Sequence, residues 1–440
     1  MKKTILSIAV IAAAFVAASC QKENLQENTA PEGNASIFTA TIETGADTKT
    51  TVERVTSPSV AYKTKWENTD KISINGVTYT ATPDAADATK ATFTKDSGDA
   101  PTGPFNAYFP ANMYSDSKAI LPASYTYTDG KYNMPMYAQS STTSLPFKNL
   151  CGVLAITVNG TDFTSVEKIE VFSDKQMNGE FTATADGVLT FASATLTDDN
   201  KKVALTFNTA KSIASDGSAT FYIPVPAGTH NPLAIKVTSG STSKLMVTKK
   251  SGGVGVVRNT VYPIAFDGQP ITGTAKRTGD IDVNWVQLWA GGPKFADRNV
   301  GASSATDLGS MKTFTEAIKA GVDYVWGANW CTPSKDKMVE LLKAATSTGS
   351  EKVKCEYTKV SGSYYGFKFT GKEAGYTGNS LIFPADGSKN SGSASWWSDT
   401  ADEGKPLFMC LNYEYGYLNS NWYVEGKSTS KYYVRPVLNN

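Results

Sequence analysis

Histidine occurs once in this chain of 440 residues, as His230 in Ala-Gly-Thr-His-Asn-Pro, and that scarcity limits the chemistry open to it. A lone imidazole removes the commonest general base and metal ligand from almost every candidate site, so metal centres and nucleophile–base pairs are poor expectations. Cysteine offers little more. Cys151, Cys331, Cys355 and Cys410 stand in the body of the chain, and the last three share one region. One disulfide among those three and buried free thiols suit their spacing equally well. Aromatic and amide side chains, by contrast, gather near the C-terminus: Trp397, Asn412-Tyr-Glu-Tyr-Gly-Tyr417 and Asn421-Trp422-Tyr423. Rings bind the apolar face of a sugar while polar neighbours take its hydroxyls, which makes Asn412, Tyr413, Tyr415, Tyr417, Trp422 and Tyr423, with Trp397, candidate ligand contacts. The same residues also suit a strand core. Alternation sets Tyr413, Tyr415 and Tyr417 on one strand face, to be buried or exposed together. No cofactor and no enzymatic activity are expected.

Lysine and arginine total 42 against 41 acids, and two of the lysines, Lys2 and Lys3, lie in the first residues, so the rest of the chain is close to neutral. That balance provides no electrostatic footprint for nucleic acid. The first residues are themselves informative. A basic Met1-Lys2-Lys3, an apolar stretch from Ile5 to Ala18 and small residues before Cys20 read as a signal peptide over 1–19. The run falls short of the roughly 20 residues that cross a bilayer core. It resembles a bacterial lipoprotein signal, which implies acylation of Cys20 and attachment to the outer membrane through that lipid. Ala17 departs from the leucine usual in that family, and an ordinary secretory signal with an incidental Cys20 is the alternative.

Residues 20–35 are polar and read as a flexible tether. From Ile37 to Ile264 the pattern is β throughout. Asn75-Gly76, Asp129-Gly130 and Asp186-Gly187 each separate strand-forming runs, and such pairs suit the positive φ angles of tight hairpin turns. With no long helical spacing, a sandwich is favoured over an α/β layer fold. Two aromatic strands stopped by proline, Phe105 to Ala111 and Phe221 to Gly228, divide the region into halves at 36–150 and 151–266, the second opening on the nearly continuous apolar run Cys151 to Val158. Residues 267–279, rich in Gly, Pro, Thr and Lys, read as a linker. Residues 280–440 then carry two helical signals and most of the tryptophans, and read as a compact α+β domain. Thr313 and Glu316 form a capping-box pair ahead of a face bearing Met311, Phe314 and Ile318, with Gly321 as the stop. Ser334 caps a helix with Met338, Leu341 and Leu342 on one side.

Phe38-Thr-Ala-Thr-Ile42, Thr48-Lys-Thr50, Trp66-Glu-Asn-Thr-Asp70-Lys-Ile72, Ala91-Thr-Phe-Thr94, Ala107-Tyr-Phe-Pro-Ala111 and Leu145 to Leu154 occur in an order that resembles the fimbrillin family of surface-fimbria subunits. The resemblance implies a mainly β chain with two transthyretin-like β-sandwich domains. It further implies proteolysis after an arginine or lysine, loss of the first strand, and filling of the vacated groove by a strand from another pilin subunit. Arg54, the only arginine before Arg258, is the processing candidate, with Lys49, Lys63 and Lys65 close by and a loop arginine of no special role as the alternative.

The last 160 residues are similar to FISUMP-type domains, which share a C-type-lectin-like fold. Carrying that similarity are Val286 to Ala290, Asn299 to Ala302, Asp323 to Gly327, Trp330-Cys-Thr-Pro-Ser334, Gly366 to Phe369, Asn379 to Ala385, Ser395-Trp-Trp-Ser398 and Tyr433-Val-Arg-Pro-Val437. Cys331-Thr332 replaces the family's Arg-Leu before Pro333. Calcium-dependent lectins use a Glu-Pro-Asn or Gln-Pro-Asp triplet with Trp-Asn-Asp nearby. Neither occurs here, and Trp397-Ser-Asp399 only echoes the latter, so no calcium-bridged sugar is expected and Asp399 joins the candidates on that echo. The distant likeness of such domains to formylglycine-generating enzymes brings Cys331 and Cys410 to notice, but no acid–base group supports them. A globular domain placed after the sandwiches leaves the chain less free to donate a terminal strand. The expectation is therefore a fimbrial tip adhesin whose partners are other pilin subunits and a host or bacterial glycan or protein receptor. A stationary glycan-binding surface lipoprotein is the alternative.

Overall fold

In the computed structural model the described residues are 35–43, 65–129, 134–248, 251–318, 326, 329–346, 352–362, 364–403, 405–414, 417–424 and 429–438. The signal peptide, Cys20, most of the tether, Arg54, Gly130 and Gly321 lie outside them. The protein is mainly β and sandwich-like, as its strand-forming runs and the lack of long helical spacing predict.

The first unit comprises β1 (Ile37–Ile42), β2 (Lys71–Ile74), β3 (Val77–Pro83), β4 (Lys90–Lys95), β5 (Phe105–Phe109), β6 (Tyr114–Ser115), β7 (Lys118–Leu121), β8 (Ser124–Thr126), β9 (Met136–Ser140) and β10 (Ser144–Asn149). Seven of these close into a barrel in the order β1-β10-β9-β5-β2-β3-β4. Asn75 and Gly76, both at positive φ (48° and 91°), make the two-residue turn between Ile74 and Val77 that the Asn-Gly pair predicts. Trp66 packs edge-on against Phe93, Phe109 and Phe147 at 4.9, 5.2 and 5.3 Å, the geometry that aromatic quadrupoles favour. β1 alternates strictly: Phe38, Ala40 and Ile42 are buried while Ile37, Thr39 and Thr41 face out. It is paired on both edges, antiparallel to β4 and parallel to β10.

The second unit runs through β11 (Cys151–Asn159), β12 (Ser165–Ser173), β13 (Gly179–Ala183), β14 (Leu189–Phe191), β15 (Lys202–Ser212), β16 (Ser218–Pro226), β17 (Gly228–His230), β18 (Leu233–Ser239), β19 (Thr242–Val247), β20 (Val254–Val256), β21 (Val261–Ala265) and β22 (Gln269–Arg277). β11, flanked by β16 and β21, explains its own apolar run. Cys151 and Val153 enter the barrel core while Leu154, Ile156 and Val158 enter the second core, so both sides are buried. The halves also exchange strands: β7 pairs with β13, and β8 lies parallel to β15. The hairpin expected around Asp129-Gly130 is thus not what positions Tyr125. Its strand finds a partner about 80 residues further on, which local turn chemistry does not reveal. Around Asp186-Gly187 a hairpin does form, but with five residues between Ala183 and Leu189 rather than two.

Residues 267–279 correct the expectation of a linker. β22 pairs with β19 on one edge, and on the other with β23 (Ile281–Gln287), which opens the third unit. A single ten-stranded sheet therefore runs from β8 through β22 and β23 to β24 (Lys294–Ala296), with β26 (Trp330–Cys331) and β34 (Val437–Leu438) at its far end. The remaining strands are β25 (Lys312–Thr313), β27 (Val353–Ser361), β28 (Tyr364–Gly371), β29 (Ser380–Gly387), β30 (Ser391–Asp402), β31 (Lys405–Glu414), β32 (Tyr417–Val424) and β33 (Lys431–Tyr432). Strands β27 to β32 form a second sheet in sequential order.

Both helical signals are realised. In α1 (Phe314–Ile318) the backbone N–H and hydroxyl of Thr313 donate to Glu316 at 2.7 and 2.9 Å; Phe314 and Ala317 are partly buried and Met311 is exposed. In α2 (Lys335–Thr346) the Ser334 hydroxyl accepts the Lys337 N–H, and Met338, Leu341 and Leu342 are buried.

Candidate functional site

The sequence candidates divide between two ends of the second sheet. Trp397 is fully buried. Its indole N–H donates to the Lys312 carbonyl at 2.7 Å, and Phe314, Phe408 and Tyr432 pack against its ring at 5.3, 6.0 and 4.6 Å. With its faces enclosed it is a core residue, and the surface role expected for it is corrected. Asp399 is exposed on β30, where its backbone N–H donates to the Pro333 carbonyl just ahead of α2 and its carboxylate accepts from the Thr400 hydroxyl.

Asn412 and Tyr413 lie elsewhere. Asn412 pairs with Ser393 while Trp397 pairs with Phe408, a separation of four residues or roughly 13 Å along the strand. Tyr415 lies outside the described residues. Tyr413 and Tyr417 are on different strands, since Glu414 pairs with Tyr417 across the β31–β32 connection, so the expectation that the three tyrosines share one strand face is overturned. Of Tyr417, Trp422 and Tyr423 the backbone register alone is described; it sets Trp422 opposite Met409 and Tyr423 opposite Phe408, toward the Trp397 end.

At the Asn412 end the sheet opens into a polar cleft of about 390 Å³, lined by Asp386, Ser391, Ser393, Asn412, Tyr413 and Glu414 together with Gly387 and Gly392. Its shape follows from the strands. β29 and β30 pair over only two positions, Asp386 with Ser393 and Gly387 with Gly392, so their ends splay beside β31. Gly392 is required for space, because a Cβ there would sit 1.9 Å from the Tyr357 hydroxyl. Tyr357 backs the lining residue Tyr413: it stacks on Tyr413 at 4.4 Å and on Tyr365 at 5.6 Å, and its hydroxyl donates to the Ser388 carbonyl at 3.0 Å. Burial first, then the neighbouring Tyr365 and Tyr413, raise the Tyr357 phenol above its ordinary pKa, so it stays a neutral donor. Tyr433 behind the cleft is raised in the same way by burial and then by the Asp386 carboxylate. The thiol of Cys410 points back to Asn412 Oδ1 at 3.4 Å and steadies that amide.

Two carboxylates, an amide, two serine hydroxyls and a phenol backed by stacked rings can accept and donate hydrogen bonds to a polyhydroxylated ligand. The sequence points to Asn412 and Tyr413 and not to Asp386, Ser391, Ser393 and Glu414. Asp386 and Gly387 end β29 just before its connection to β30, and a Gly after Asp at a strand end is the local signal that could have drawn attention to them. The four body cysteines are free thiols, with no disulfide among the described residues.

Comparison with protein-family models finds no match, and comparison with curated proteins finds none. Two solved structures are similar in part. A candidate cell adhesion protein from Bacteroides uniformis is 17% identical with a TM-score of 0.31, covering 47% of this chain and 91% of its own. A candidate cell adhesion protein from Bacteroides ovatus is 12% identical with a TM-score of 0.31, covering 54% of this chain and 96% of its own.

Proposed function

We propose that this chain is a fimbrial subunit, set at the tip as an adhesin, which accepts a strand from another pilin subunit and presents its third unit to a glycan or protein receptor. The observation that carries the proposal is the seat of β1. That strand closes the barrel from within, paired on both edges and burying Phe38, Ala40 and Ile42, yet it is joined to β2 through a span that contains Arg54. Cutting that span would free a strand whose departure exposes an apolar groove and two rows of unpaired backbone groups, and a donated strand satisfies both. Lipid on Cys20 would hold the subunit at the outer membrane until the cut. The tip assignment draws on β22 and β34, both enclosed between neighbours, so neither is a free strand to offer onward.

In the test, surface material from cells is run in SDS without boiling and the mature N-terminus is read by mass spectrometry. Strand exchange yields a resistant ladder and an N-terminus just after Arg54, and Arg54→Ala blocks both. Immunogold labelling along the shaft would refute the tip position. A monomer retaining Cys20 would leave the stationary glycan-binding lipoprotein as the reading. The cleft of Asp386, Asn412 and Glu414 is the proposed receptor site under either.

A further inference from the structure

We propose that Arg258 selects the strand that fills the β1 seat, by reading a carboxylate on the residue that follows the strand. The inference rests on the strand-exchange reading above and adds to it the chemistry of the partner.

Immediately after β1, the Glu43 backbone N–H donates to the Phe147 carbonyl at 3.0 Å, the last bond to the barrel. Its side chain then bridges the end of β10 and the second unit. The carboxylate accepts the Asn149 N–H at 2.7 Å and the Nη1 of Arg258, with Lys148 Nζ 3.7 Å away. Arg258 is no part of the barrel. It lies between β20 and β21, and the same Nη1 also donates to the Asn149 carbonyl at 2.9 Å. Gly187 closes in from the β13–β14 connection: a Cβ there would lie 2.7 Å from Lys148 Cβ and 3.3 Å from Arg258 Nη1, so a larger residue would crowd Lys148 beside the guanidinium. The Glu43 side chain keeps only 10% of its exposure.

The seat therefore has two parts. The apolar part takes an aromatic at the Phe38 position, where Tyr79 and Phe105 pack edge-on at 5.1 and 4.8 Å, then a small residue and an aliphatic at alternate positions. The polar part is a half-buried cation held in place by its own carbonyl contact. A strand that ends in a neutral residue leaves that cation without its carboxylate, and one that ends in Asp or Glu restores a charge-assisted hydrogen bond. The occupant is accordingly a strand of another subunit with the pattern aromatic, any, small, any, aliphatic, acidic.

The test uses the full chain, cleaved by trypsin between residues 44 and 64 and stripped of its first strand in mild urea. Fluorescent, C-terminally amidated peptides of residues 35–43, native or with Glu43→Gln, are titrated by fluorescence polarisation. The native peptide is expected to bind about tenfold more tightly or better. The preference should vanish in Arg258→Gln and be partly kept in Arg258→Lys, while the Gln peptide binds all three proteins alike and so reports their folding. Equal binding of both peptides to the wild-type protein would overturn the role of Arg258 and leave strand exchange standing. Failure of both to bind would overturn the seat itself, and this inference with it.

Discussion

His230 lies at the end of β17 with its ring buried, Nδ1 2.7 Å from the Ser173 hydroxyl and Nε2 3.0 Å from the Pro226 carbonyl. A carbonyl can only accept, so Nε2 carries the proton and Nδ1 receives the serine O–H in the neutral ring. Burial is the chief cause that lowers its pKa below the ordinary 6.5. The unfolded chain therefore takes up this proton at a higher pH than the folded one does. Stability from the neutral ring is complete above about 6.5 and is lost as pH falls toward the depressed value. Urea midpoints measured from pH 7 down to pH 5 should fall in the wild-type protein, and the His230→Gln variant should show a shallower slope over that window. An identical slope would mean that other groups set it. The chain's single histidine is thus a buried structural group.

At the scale of elements, alternation makes β1 a quantitative case. Phe38→Ala removes a fully buried ring from the barrel and should cost about 3 to 5 kcal/mol. Ile37→Ala, on the same strand but 56% exposed, should stay within about 0.5 kcal/mol. Guanidinium unfolding of both variants, followed by far-ultraviolet circular dichroism, compares them directly, and similar losses would mean the strand is seated otherwise. Local signals of this kind were legible in the sequence. Alternation in β1, the Asn75-Gly76 turn, the Thr313–Glu316 box and the Ser334 cap each need only residues a few positions apart. Ser334→Ala should accordingly cost about 1 kcal/mol, read from the same unfolding curves. What sequence reading does not reach depends on distant partners. β22 is a strand because Ser243 to Leu245 and Val283 to Val286 flank it, and its Gly, Pro and Thr content conceals that. Trp397 is buried because Phe314, Phe408 and Tyr432 converge from three separate elements. Glu43 and Arg258 meet across 215 residues, a separation no spacing rule spans.

For the whole molecule, the ten-stranded sheet decides how the second and third units are joined. β22 is paired on both edges, and Ile271 within it joins Phe172, Ala234, Leu245 and Tyr376 in one buried cluster that draws on the second and third units together. Gly375, at φ 85°, lets the Tyr376 segment approach: a Cβ there would lie 2.2 Å from Leu245 Cδ1. A shared sheet and a shared cluster make the two units unfold as one, because opening either breaks strand pairs of the other. Differential scanning calorimetry should therefore give a common transition for them in the wild-type protein. Tyr376→Ala, which deletes the ring that ties the third unit to Leu245 and Ile271, should cost about 3 kcal/mol and split off an earlier transition. Separate transitions already present in the wild-type protein would refute the coupling. If the coupling holds, the third unit, which carries the Asp386–Glu414 cleft, is joined to the second by the β22–β23 strand pairing and the Tyr376 cluster rather than by a free linker.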